Sequence, residues 1–165
     1  MEAVIFCGIQ GTGKSTFYKQ RFADTHVRIN LDMLRTRRRE AILLNACLEA
    51  KQRFVVDNTN PTIAARRIYT EPALAEGFRL VAFHFDSPVT DAISRNLGRP
   101  KEERVLPGSI VRTLKGLEPP TKEEGFDEIF VVHVDGSGGF SVSEATVPFA
   151  ALQEALQEEA PQGES

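Results

Sequence analysis

The chain has 165 residues, 41% hydrophobic and 26% charged, with a net charge of −3. That length suits one domain with its own core, and no apolar run approaches the ~20 residues that span a bilayer. Cys7 and Cys47 match no metal or redox spacing and read as buried thiols; with no charged leader or cleavage site, a cytoplasmic protein without a membrane role is expected.

Ala3-Val4-Ile5-Phe6-Cys7 is an apolar run that reads as a buried strand. It leads into Gly8-Ile9-Gln10-Gly11-Thr12-Gly13-Lys14-Ser15-Thr16, a complete phosphate-binding loop. Gly8, Gly11 and Gly13 let the backbone take positive φ and approach a polyphosphate. Successive N–H groups through Thr12 and Thr16, and the start of the next helix, then point at the anion. Lys14 is placed to reach the β- and γ-phosphates, and the Ser15 hydroxyl to ligate Mg²⁺.

A first helix is expected from Lys14 to about Arg21, and Val27-Arg28-Ile29 is a short second strand. A long helix is expected from Asp32 to about Lys51, with Arg37-Arg38-Arg39 facing out. Arg53 to Asp57 reads as a third buried strand ending in a carboxylate. Pro61 fits the first turn of a helix running to about Ala75, Gly77 marks its end, and Phe78 to Phe85 is a fourth strand. Ser87-Pro88 starts a helix carrying Asp91 to Leu97. The charged stretch from Gly98 to Pro107, bounded by Gly and Pro, reads as a mobile loop and makes a lid of about residues 95–107. A helix at Gly108 to Leu117 and a fifth strand at Glu128 to Val134 follow. Gly136-Ser137-Gly138-Gly139 is a hairpin or linker turn, because no Lys-Ser/Thr follows it. Val147 to Glu159 reads as an acidic amphipathic helix and Ala160 to Ser165 as a frayed end. Residues 1–140 are thus expected to form one catalytic domain, with 141–165 packed on it or trailing.

Strands alternating with helices predict a three-layer α/β architecture around a central parallel five-stranded sheet. Ligands in such sheets sit beyond the C-terminal strand ends, where the phosphate loop, Asn30 to Asp32, Asp57 to Asn60 and Asp86 all fall.

An Asp at position 32 can accept the proton of an attacking hydroxyl, and Arg35, one turn on, can grip an anionic acceptor. The alternatives are a helix cap for Asp32 and a surface role for Arg35. Asp57 suits a Mg²⁺-bound water or the Ser15 hydroxyl, or is a buried polar group satisfied by turn amides. Asn58 and Asn60 orient that turn or touch substrate. Arg95 and Arg99, four apart, share a face if the helix continues and can then both reach the transferred phosphoryl group as the lid closes. Lys101 and Arg104 read as solvated charges. Arg66 and Arg67 are candidates for a nucleic-acid backbone. Phe17, Tyr18, Tyr69 and Phe85 are candidate stacking platforms, against an ordinary core reading.

The phosphate loop, Asn30-x-Asp32-x-x-Arg35, Val56-Asp57-Asn58-Thr59-Asn60-Pro61 and Arg95-Asn96-x-x-Arg99 resemble, in order and spacing, the motifs of the polynucleotide 5′-hydroxyl kinases over about residues 1–134. The resemblance implies a P-loop kinase fold and transfer of the γ-phosphate of ATP, with Mg²⁺, to the 5′-OH end of DNA or RNA. It implies Asp32 as general base, Arg35 on the acceptor's 3′-phosphate, and Arg95 and Arg99 as lid arginines. Arg37, Arg38 and Arg39 follow Arg35 directly, so that the grip is shared or shifted among them. End-healing partners, a phosphatase or a ligase, are expected to be separate proteins. The competing reading on the same scaffold is a small-molecule or sugar-nucleotide kinase of the zeta-toxin type.

Charge divides along the chain. Residues 1–122 hold all 20 Lys and Arg against 13 Asp and Glu, a net +7, whereas residues 123–165 carry 10 acidic groups and no basic one. A basic body around a nucleotide site suits a polyanionic second substrate.

Overall fold

Val, Ile and Phe on both faces of β1 (Glu2–Cys7) leave it no solvent side, and it is buried from Ala3 onward. It therefore takes the centre of the sheet. The computed structural model describes residues 1–145. In chain order these form β1, α1 (Lys14–Arg21), β2 (Val27–Ile29), α2 (Leu31–Leu34), α3 (Arg37–Glu49), β3 (Phe54–Val56), α4 (Ile63–Ala75), β4 (Arg79–Phe85), α5 (Val89–Leu97), α6 (Pro107–Lys115), β5 (Glu128–Val134) and β6 (Phe140–Glu144). Short 3-10 turns occupy Lys101–Glu103 and Lys122–Glu124.

The sheet order is β2-β3-β1-β4-β5-β6, parallel throughout except for β6, which pairs antiparallel with β5. Alternate residues of each strand feed two cores. Ala3, Ile5, Ile29, Phe54, Val56 and Leu80 face one side with Leu44 and Cys47 of α3 and Tyr69 of α4. Val4, Phe6, Val55, Val81 and Phe85 face the other, with Phe17 of α1. There Phe6 lies 4.9 Å from Phe85 and 5.8 Å from Phe17, ring centre to ring centre, edge-on. Phe17, Tyr69 and Phe85 are thus core residues, and Tyr18 is half-buried.

The architecture is the expected α/β one with a sixth strand. Gly136 to Gly139 make a hairpin turn, and Phe140 to Glu144 return along β5 because Val132 and Val134 offer an edge to pair with. The boundary expected at residue 140 therefore falls inside a strand, and the acidic helix read over Val147 to Glu159 lies outside the described residues. The long helix expected from Asp32 to Lys51 is two. Asn30 caps α2 by accepting the Met33 N–H at 2.9 Å, Arg35 turns left-handed at φ 74°, and Thr36 restarts the helix by accepting the Arg39 N–H. Similarly, Thr62 rather than Pro61 starts α4, its hydroxyl accepting the Ala65 N–H. Among the described residues no helix is long and apolar enough to cross a membrane.

Candidate active site

The loop between β1 and α1 lies at the C-terminal edge of the sheet, where backbone groups from neighbouring strands are within reach. The Gly8 N–H donates to the Thr59 carbonyl at 3.0 Å, and Asn60 donates to the Phe6 carbonyl at 2.8 Å. Two glycines are dictated by packing as well as by φ. A Cβ on Gly11 (φ 79°) would stand 2.3 Å from the Ala92 carbonyl oxygen of α5, and one on Gly13 (φ 87°) 2.9 Å from the Phe140 ring. Gly13 caps α1 without a side-chain bond, so the first amides of α1 face the loop's concavity. Thr12 is buried with its hydroxyl on the Ile9 carbonyl at 2.9 Å, and Thr16 is exposed on the first turn of α1.

The Lys14 ammonium folds onto its own loop, donating to the Gly8 and Ile9 carbonyls at 2.9 and 2.6 Å. Burial pushes its pKa down to about 8, against the attraction of Asp57 and Asp32; Arg99 pushes it further down. Asp32 and Arg99 are therefore both close enough to act on this lysine. Arg95 donates to the Gly11 carbonyl at 3.1 Å, which sets it over the loop.

Asp57 ends β3 and is 2% exposed. Ser15 donates to its Oδ2 at 3.1 Å, and Arg28 of β2 reaches the same oxygen from Nη2 at 2.7 Å. A hydroxyl beside a carboxylate is an oxygen donor pair that fits Mg²⁺, which takes one or two protein oxygens and completes its shell with phosphate and water. Arg28 had no role in the sequence reading. It is the middle residue of β2, the edge strand of the sheet, and no local pattern in the sequence marks it out.

Asn58 and Asn60, expected to orient the turn or touch substrate, are held by protein. Asn58 accepts the Leu31 N–H at 2.9 Å and donates to Glu40 and Tyr69. Asn60, buried and left-handed at φ 43°, holds β1. Glu40, 2% exposed, anchors this group by accepting from Tyr69 at 2.9 Å and Arg37 at 2.8 Å. Burial and Glu40 together push the Tyr69 hydroxyl up to about 12. The effect is to pin the start of α2, and with it Asp32.

Asp32 is exposed and lines a cleft of about 250 Å³ with Gln10 of the phosphate loop, Asn58, Arg37 and Val105. Because the helix ends at Leu34, Arg35 does not continue along the face of Asp32, and Arg37 stands in the cleft wall instead. Arg66 needs a fuller correction. It is fully buried, paired to Glu124 through Nε at 2.7 Å and Nη2 at 2.9 Å, and bonded to the Asn60 carbonyl, so it is unavailable to a nucleic-acid backbone. Cys7 beside it is a buried thiol pushed up to about 11, too weakly acidic for a nucleophile.

The segment expected to act as a lid is fastened at its base. Asn96, fully buried, donates to the Val105 carbonyl and accepts the Val105 N–H at 2.6 and 2.9 Å, closing the loop that carries Arg99 and Arg104.

A sequence profile described as an AAA domain matches residues 4–120. A curated relative, the bifunctional polynucleotide phosphatase/kinase of Schizosaccharomyces pombe, is 28% identical over 132 residues, 78% of this chain and 32% of the relative. The chain thus spans about a third of that relative's length. Kti12 from Chaetomium thermophilum, solved in complex with ADP-AlF3, shares the fold at a TM-score of 0.62 and 17% identity, over 82% of this chain and 92% of that one. A gluconokinase from Sinorhizobium meliloti 1021 shares it at 0.56 and 17%, over 97% and 98%.

Proposed function

The chain belongs to the AAA domain family, and from that premise we propose that it transfers the γ-phosphate of ATP to the 5′-hydroxyl end of a DNA or RNA strand. The observation that carries this reading is that Asp32 lines the same cleft as Gln10 of the phosphate loop. A hydroxyl entering there meets a carboxylate on one side and the bound phosphates on the other. The loop amides and Lys14 hold the nucleotide. As the acceptor oxygen bonds to phosphorus, its proton passes to the Asp32 carboxylate and ADP leaves with the electron pair of the broken P–O bond. Ser15 and Asp57 would hold Mg²⁺, which when bound offsets the charge of the phosphate oxygens. Arg95 and Arg99 add positive charge from the lid, and Arg37 is placed for an anionic group of the acceptor.

The likeness to the fission-yeast enzyme and the basic body of the chain support a nucleic-acid acceptor. The size of the cleft favours a second reading, a small-molecule acceptor that fits wholly inside it. Transfer of ³²P from γ-labelled ATP to a 5′-OH oligonucleotide, beside its 5′-phosphorylated form and a Lys14→Ala control, tests the choice. Label on the 5′-OH strand alone is expected. Label on no strand, with ATP still bound, selects the small-molecule reading. Asp32→Ala should keep nucleotide affinity and lower turnover by at least ~10²-fold; retained turnover removes Asp32 from the mechanism.

A further inference from the structure

Arg28 is the second residue of β2 and stands opposite Val55 of β3, on the sheet face covered by α1. Its guanidinium bonds both oxygens of the proposed metal pair: Nη2 lies 2.8 Å from Ser15 Oγ and 2.7 Å from Asp57 Oδ2, and Nε 2.9 Å from the same Oδ2. A Mg²⁺ ion taking these two oxygens as ligands would compete with the guanidinium for the same lone pairs. Holding both positive charges on one oxygen pair is costly, so one is favoured to leave. We infer that Arg28 and the divalent cation exchange at the Ser15–Asp57 site, the guanidinium withdrawing as the metal enters, so that Arg28 sets how far nucleotide binding depends on metal. The inference rests on Ser15 and Asp57 being the metal ligands.

The geometry supplies both a reason for the contact and a way out of it. Asp57 is buried, and a buried carboxylate without a partner is costly, so a built-in cation keeps the nucleotide-free site stable. Lys14 attracts Asp57 at a distance but makes its hydrogen bonds to loop carbonyls, so Arg28 is the cation in direct contact. The Arg28 side chain is 22% exposed and lies over the Tyr18 ring, 5.5 Å from its centre. That ring is fixed by its hydroxyl, which donates to the His26 carbonyl at 2.7 Å. The guanidinium can therefore slide outward along an aromatic face and keep a cation–π contact.

The test needs no acceptor. Mn²⁺ is titrated into the full chain saturated with ADP, followed by its electron paramagnetic resonance signal, for the wild type, Arg28→Gln, Arg28→Lys and Asp57→Asn. Removing the competing charge should tighten Mn²⁺ binding about tenfold in Arg28→Gln, with Arg28→Lys in between. Without metal, Arg28→Gln should melt earlier than the wild type and regain more on adding Mg²⁺. Unchanged or weaker Mn²⁺ binding by both Arg28 variants overturns the exchange. Unchanged binding by Asp57→Asn overturns the ligand assignment instead. Neither result bears on which acceptor the enzyme uses.

Discussion

Lys14 shows how burial gives one side chain two opposite pH dependences. Its pKa in the fold is lowered to about 8 from an ordinary 10.5. Below pH 8 the ammonium is charged and ready for phosphate. Above it, binding must recruit a proton, so metal-free nucleotide affinity should fall by up to about tenfold per pH unit. Stability runs the other way, because between those two pH values the unfolded chain holds the extra proton and this group's contribution to folding rises with pH. Calorimetric titration of ADP in the presence of a chelator, from pH 7 to 10, checks the first slope; a flat profile would mean that Lys14 does not meet the phosphates as a cation it must recharge. Arg66 gives a second prediction at this scale. Arg66→Met leaves the buried Glu124 carboxylate without its cation, with the Thr121 N–H still donating to it, and should cost about 3–5 kcal/mol in urea unfolding, most of it recovered by adding Glu124→Gln. A small loss accompanied by weaker oligonucleotide binding would return Arg66 to the substrate.

Among the elements, the lid carries the clearest expectation. Asn96 satisfies both backbone groups of Val105 and so ties α5, which carries Arg95 and ends at Leu97 before Arg99, to the cleft wall at Val105. Asn96→Ala should lower stability by about 1–3 kcal/mol through the unpaired groups and reduce kcat more than nucleotide affinity, since α5 also rests on Gly11. Steady-state kinetics beside nucleotide titration separates the two. Most elements were legible in the sequence, because apolar runs of strand length alternate with helical stretches, and β5 spans the expected Glu128–Val134. The break between α2 and α3 was not. No Gly or Pro marks it among the polar residues Arg35 to Glu40, and the restart depends on Thr36 turning its hydroxyl to an amide three residues on, which competes with an unbroken helix only once Asn58 and Glu40 hold α2 in place.

For the whole molecule, the separation of a basic body from an acidic C-terminal stretch predicts salt-sensitive capture of a strand. Affinity for a single-stranded oligonucleotide should fall with salt by a log–log slope of about −0.7 per phosphate contacted. Replacing exposed Arg38 and Arg39 by Gln should reduce the steepness by the same amount for each that makes such a contact. A slope near zero for the wild type would favour the small-molecule acceptor.

The sequence alone determined the phosphate loop, the alternation that makes the sheet parallel, and the position of Asp32 and Asp57 at strand ends. These follow from local rules, glycine spacing, apolar period and the direction of βα connections. Tertiary structure decided which charges face one another. Arg66 and Glu124 are 58 residues apart, Arg28 and Asp57 29, and nothing local distinguishes these arginines from Arg38 or Arg39 on the surface. The same holds for Asn58 and Asn60, whose motif marks the site but whose side chains are spent on holding the strand ends together. A charge takes its role from the partner the fold brings to it, and that partner comes from another strand or helix.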